Sequence, residues 1–223
     1  GFGLDRFGAD YESKRKQFRE EWNVTDSTIL IGIVGRVVPI KNHEQYLRVI
    51  KFVKENSPHL IKGVIIGDGD VTDDLFRTAE DLGLKISRTG EDNCDIIFTS
   101  WIKEIDVANA GLDLMCLTSL NEGTPVSLIE AQASGLPVLS TNVGGVKDDV
   151  APNMSKYLSE VNDVEAMGNS ILELAGSQEL RRELGAEAKE FVLGKFHFSR
   201  FCSEMTKVYD DLMNEFETNS KKH

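Results

Sequence analysis

Five short apolar runs, alternating with segments of helical spacing, restrict this chain more than any other feature. They are ILIGIVG at 29–35, KGVIIGDG at 62–69, DIIFTS at 95–100, DLMCLTS at 113–119 and LPVLST at 136–141. All are too short for helices, rich in Ile, Val and Leu, and not strictly alternating, which is the pattern of strands buried on both faces. Helix-like segments lie between them at about 43–56, 71–82, 103–110 and 126–134, after an amphipathic opening from Tyr11 to Trp22. Alternation of strand and helix implies right-handed crossovers and an α/β fold, a parallel sheet covered on both faces. Such sheets bind ligands at the carboxyl ends of their strands. The informative loops are therefore 35–42, 67–71, 99–102 and 119–126.

From about Asp163 the pattern is helical only, at 164–175, 178–194 and 199–217, punctuated by Gly176 and Gly194. The last segment carries Phe201, Met205, Val208, Leu212 and Phe216 at spacings of three and four, an apolar stripe on one side. The tail TNSKKH is expected to fray. A chain of 223 residues holds one sizeable core. With 25 basic against 37 acidic residues the net charge is -12, which argues against nucleic acid or an anionic membrane as a partner of the surface. Any anion must be held locally. Cys94, Cys116 and Cys202 are odd in number and far apart, so neither a disulfide framework nor a zinc site is expected, and a reducing, cytoplasmic setting fits. No apolar run approaches the ~20 residues of a membrane span, and no signal peptide is visible. A first residue Gly1 rather than Met leads us to expect a piece of a longer protein.

Within NEGTPVSLIEAQASG (121–135), Thr124 suits an N-cap and Pro125 the first helical position. A helix starting there leaves the N–H groups of Val126 and Ser127 free, and Gly123 lets the preceding backbone approach a ligand, so this terminus can receive an anion. Val126, Ile129 and Ala133 are the expected core stripe. Glu130 stands about a 100° step aside, leaning back toward the pocket. A single glutamate near a helix start is ordinarily solvated or capping. Two of them, Glu122 and Glu130, flanking a glycine turn beside small apolar residues suit the vicinal hydroxyls of a sugar. In GRVVPIKN (35–42), Gly35 removes bulk beside Arg36 and Lys41, which either clamp a diphosphate or are solvated loop charges. The loop has no GxGxxG, which disfavours an NAD enzyme.

Together, GRVVPIKN and EGTPVSLIE resemble the donor-binding half of the family 4 (group 1) retaining glycosyltransferases of the GT-B fold. Gly-Arg followed five residues later by Lys is met by Arg36 and Lys41, and Glu-x7-Glu by Glu122 and Glu130. The likeness continues in IIGDGD (65–70), NVGGVKDDV (142–150) and the opening GFGLDRF, and spans almost the whole chain. It departs in the polar segment 85–95 and at Asp148, where a glutamate is more usual. The resemblance implies a Rossmann-like three-layer domain at 10–195, an interdomain linker at 1–9, and a C-terminal helix and tail at 196–223 that lean on a missing N-terminal domain. It implies that a nucleotide-diphosphate sugar, with UDP or GDP as carrier, gives a hexose or derivative to a saccharide or lipid-linked saccharide acceptor, without metal or further cofactor. Arg36, Lys41 and Glu122 then carry the chemistry, with Glu130 on the ribose and Gly35, Gly123, Thr124, Pro125, Val126 and Ser127 around the donor. The base would lie against Thr99 to Ile102 through backbone groups; Trp101 is weighed as a stacking surface against a buried aromatic, the commoner case. His43, His59 and His197 are expected to be structural or solvated, and Asp68 to Asp70 a polar turn rather than a metal site. The fragment should be inactive alone and open to self-association. The alternatives are a non-catalytic nucleotide-sugar-binding module and an epimerase.

Overall fold

The computed structural model describes residues 1–91 and 93–220, with side chains up to residue 215. Helix α1 (Tyr11–Glu21) precedes β1 (Thr28–Val34), α2 (His43–Asn56), β2 (Leu60–Ile66) and α3 (Thr72–Asp81). Then come β3 (Ile86–Ser87), β4 (Ile96–Ser100), α4 (Ile105–Gly111), β5 (Leu114–Leu117), α5 (Val126–Ala133) and β6 (Val138–Thr141). The chain continues through α6 (Val146–Asp149), β7 (Leu158–Ser159), α7 (Val164–Ala175), α8 (Gln178–Phe196) and α9 (Phe198–Ser220). The seven strands form one parallel sheet in the order β3-β4-β2-β1-β5-β6-β7. Chain direction across the sheet reverses between β1 and β5, and the loops leaving those two strands therefore part to leave a crevice. All five expected strands are present. The two-residue strands β3 and β7 are additional, too short to show any periodicity, and β3 occupies the polar segment whose composition departs from expectation.

The core explains the order of elements. Tyr46 of α2 is fully buried, donates its hydroxyl to the Ile31 carbonyl at 2.7 Å and accepts the Val64 N–H at 2.9 Å, so one side chain ties α2 to both central strands. On the other face Asp113, just before β5, accepts the Leu30 N–H at 2.8 Å, Arg15 at 2.8 Å and Arg19 at 2.5 Å. Arg19 is 3% exposed and spends its other donors on the Gly111, Thr25 and Thr28 carbonyls. This buried network fixes α1 against the lower end of the sheet.

The opening expected as a linker packs: Leu4 and Phe7 are buried with Ile129, Ala133 and Val192 in a second, smaller cluster. Phe2 pairs with His197 as a parallel bridge, its N–H on the Phe196 carbonyl at 2.8 Å and its carbonyl receiving the Phe198 N–H at 2.9 Å. Beyond that clamp α9 stands off the domain. Phe198, Phe201, Val208, Tyr209, Leu212 and Met213 are each at least half exposed, and Met205 is exposed too. The helix runs through Ser220. Residues 221–223 and the Phe216 side chain lie outside the described residues.

Candidate functional site

The crevice between β1 and β5 is stitched shut below and open above. Thr118 donates to the Lys41 and Asn42 carbonyls at 3.1 and 2.9 Å, and the Leu120 N–H reaches the Ile40 carbonyl at 2.8 Å, locking the loop after β5 to the loop after β1. Two glycines permit the close stacking of loops. A Cβ on Gly67 (φ 141°) would lie 2.0 Å from the Gly35 carbonyl oxygen, and one on Gly144 (φ 52°) 1.9 Å from that of Glu122. Gly123, expected to permit close approach, itself faces open space.

At the centre, Lys41 donates to Glu122 Oε1 at 2.5 Å, and the Ser119 hydroxyl donates to the same oxygen at 2.6 Å. The pair is mostly screened from solvent, with the Lys41 side chain 22% and the Glu122 side chain 10% exposed. Glu122 Oε2 accepts nothing from the described residues. The carboxylate is thus held rigidly by one oxygen while the other keeps its acceptor capacity. Arg36, in contrast, is exposed at the rim, with no side-chain hydrogen bond or ion pair to the described residues. Sequence reasoning missed Ser119; its only signal is its place at the end of the strand run, three residues before Glu122.

Helix α5 begins one residue later than expected. Pro125 has extended backbone (ψ 96°), so it serves as the cap, and Thr124 makes no capping hydrogen bond. The Pro125 carbonyl accepts the Leu128 N–H at 3.0 Å, which leaves the N–H groups of Val126 and Ser127 in the first turn without an intrahelical acceptor. Of the expected core stripe, Ile129 and Ala133 are buried, joined by Leu128, whereas Val126 is 41% exposed.

Glu130 occupies different surroundings from Glu122. Burial pushes its carboxyl up, the Arg6 cation holds it back, and Asp106 adds to the rise. Arg6 belongs to the opening segment and lies 3.8 Å from Asp106, which also pairs with Lys14 at 2.9 Å. Sequence reasoning had no route to this cluster, since Arg6 and Asp106 meet only through the packing of Phe7 under α5. The base-side loop also differs from expectation: Trp101 is 61% exposed rather than buried, while Ile102 packs on the core. Among the histidines, His59 is exposed, His197 pairs with Asp5 at 3.1 Å, and His43 is buried, its pKa lowered to about 4 by burial and by Lys41. Asp68 closes a turn by accepting the Gly69 N–H and the Thr72 hydroxyl.

A parallel sheet whose switch-point crevice offers a cation, a half-used carboxylate and a free helix N-terminus suits an anionic, hydroxyl-bearing ligand. The family model for glycosyl transferases group 1 matches residues 14–191. The chain belongs to that family. Among curated relatives, this group 1 glycosyltransferase domain is 24% identical over 200 residues to the N-acetyl-alpha-D-glucosaminyl L-malate synthase of Bacillus anthracis, covering 89% of the chain and 50% of the relative. It is 25% identical to the UDP-Gal:alpha-D-GlcNAc-diphosphoundecaprenol alpha-1,3-galactosyltransferase of Escherichia coli, covering 84% of the chain and 46% of the relative. The domain therefore spans about half the length of these relatives. Its fold matches that of Anabaena HepE in complex with UDP at TM-score 0.80 and 18% identity, over 95% of this chain and 56% of that one. It also matches the C-terminal domain of a group 1 family protein, LpcC, from Francisella tularensis at TM-score 0.72 and 21% identity, over 88% of this chain and 99% of that one. Among the described residues no helix is long and apolar enough to cross a membrane.

Proposed function

We propose that this group 1 domain is the C-terminal, donor-binding half of a family 4 retaining glycosyltransferase of the GT-B type, which transfers a hexose or derivative from UDP or GDP to a saccharide acceptor. The observation that carries the reading is the Lys41–Glu122–Ser119 cluster beside the α5 N-terminus. It joins a cation for diphosphate to a carboxylate with one oxygen left for a sugar hydroxyl. As the glycosidic bond breaks, negative charge grows on the departing diphosphate, and donors that bind it more tightly then than before lower the barrier. Lys41, Arg36 and the N–H groups of Val126 and Ser127 take that role, with no metal or further cofactor. Glu122 holds the sugar and Glu130 the ribose diol. The acceptor belongs on a preceding domain; relatives about twice as long support that division. The working setting is the cytoplasm, where Cys94, Cys116 and Cys202 stay reduced.

Calorimetry on the 223-residue chain with UDP, GDP and ADP tests the pocket. One diphosphate should bind with little dependence on magnesium, and incubation with its sugar derivative should transfer nothing without the other half. Absence of binding at millimolar ligand would refute the assignment.

A further inference from the structure

The loop 99–102 is expected to meet the base largely through backbone groups, and a side chain from outside every expected loop lies at the same sheet edge. Arg88, which follows β3, places its guanidinium 4.7 Å from the Phe76 ring centroid and 4.8 Å from that of Phe98. Guanidinium groups stack on aromatic faces and keep their in-plane donors free. Arg88 is exposed and makes no hydrogen bond with the described residues. Phe98 stands two residues before Ser100 on β4, roughly 7 Å along the strand. Ser100 has φ 57° and donates its hydroxyl to Asp68 Oδ2 at 2.8 Å, which fixes the start of the loop bearing exposed Trp101. The Asp68 carboxyl is held below its usual range by the Ser100 hydroxyl, then by the Gly69 N–H and the Thr72 hydroxyl, with a further contribution from the Arg88 cation. Arg88, over Phe98, and Asp68, bonded to Ser100, therefore both meet strand β4 just ahead of Trp101.

We infer that Arg88 selects the base of the donor nucleotide, favouring the keto bases uracil and guanine over adenine and cytosine. The inference rests on the donor-site reading above. A guanidinium has five donors and no acceptor. It matches the carbonyl oxygens of uracil or the O6 and N7 of guanine, whereas the exocyclic amino groups of adenine and cytosine set donor against donor. Trp101 supplies a stacking face that accepts any base and discriminates little. Asp68 fixes Ser100, and with it the start of the loop that carries Trp101.

Calorimetric titration of the chain with UDP, GDP, CDP and ADP reads the selection. Wild type should bind UDP or GDP at least tenfold more tightly than CDP and ADP. Arg88→Met, which retains length and contact with the rings, should bring all four within about threefold by weakening the keto ligands alone. Arg88→Gln, whose amide both donates and accepts, should gain affinity for ADP relative to UDP, and it reads the same loss should the apolar end of the methionine disturb folding. A wild-type preference that survives in both variants overturns the role of Arg88 and leaves the donor site standing. Equal wild-type affinity for all four overturns it likewise. Failure of any diphosphate to bind removes the donor-site reading and this inference with it.

Discussion

Acidification should unfold this domain through His43 before most of its carboxylates are protonated. His43 opens α2 two residues after Lys41, is 4% exposed, and neither ring nitrogen has a hydrogen-bond partner among the described residues. Burial, and then the Lys41 ammonium, lower its pKa from 6.5 to about 4. The sign follows directly. The unfolded chain takes up a proton near pH 6.5 and the folded chain refuses it until about pH 4, so between those values the unfolded state binds more protons and stability drops as the solution is acidified. At about 1.4 kcal/mol per unit, a depression of roughly 2.5 units removes ~3 kcal/mol, a large share of a typical folding free energy. Urea denaturation across pH 7.5 to 4 of the wild type and of His43→Met isolates the effect, because the carboxylates titrate in both. The stability difference between the two proteins should be flat above pH 7 and then shift by ~3 kcal/mol in favour of the variant by pH 4. Parallel profiles would show that His43 finds a partner or solvent in the folded chain.

Asp113→Ala leaves Arg15, Arg19 and the Leu30 N–H without their shared acceptor and should cost about 3 to 5 kcal/mol in urea denaturation with nucleotide affinity unchanged; a loss under about 1 kcal/mol would contradict the network's role. Glu130→Gln should weaken every nucleotide, whereas Glu122→Gln should matter only when the sugar is attached, and equal losses on both ligands in the Glu122 variant would undo the division. Lys41→Ala in the full-length parent should raise the transfer barrier by roughly 2 to 4 kcal/mol with folding intact, a wild-type rate being the adverse result. Removing 199–220 should leave the melting temperature almost unchanged, because the described side chains of α9 bury little, and should abolish any self-association seen by sedimentation.

How much of this was legible in the sequence depended on the range over which each signal acts. The strands and helices announce themselves through composition over five to fifteen residues, and Arg36, Lys41, Glu122 and Glu130 through fixed spacings beside strand ends. What the spacing of Lys41 and Glu122 could not express is that they bond to each other, because 81 residues separate them in the chain and only the stitching by Thr118 brings their loops together. Glu130 was placed correctly on its helix but in the wrong company, since its neighbours Arg6 and Asp106 arrive from two other elements. Trp101 went the other way: aromatic residues are mostly buried, and nothing local reveals that Ser100 turns the chain outward with a positive φ. Arg88 lies in the segment whose polarity merely looked out of place. There the two-residue strand β3 supplies an edge, and the rings it stacks on come from α3 and β4.

The clamp of Phe2 between Phe196 and Phe198 also decides how the domain responds to a pull. Because Phe2 and His197 run parallel, tension applied at residue 1 and at the far end of α9 drives the two segments past each other along their own axes. The pair of backbone bonds is loaded in shear, both at once, rather than opened one after the other like a zip. Until they part, tension applied at those two points passes through this one pair of backbone bonds.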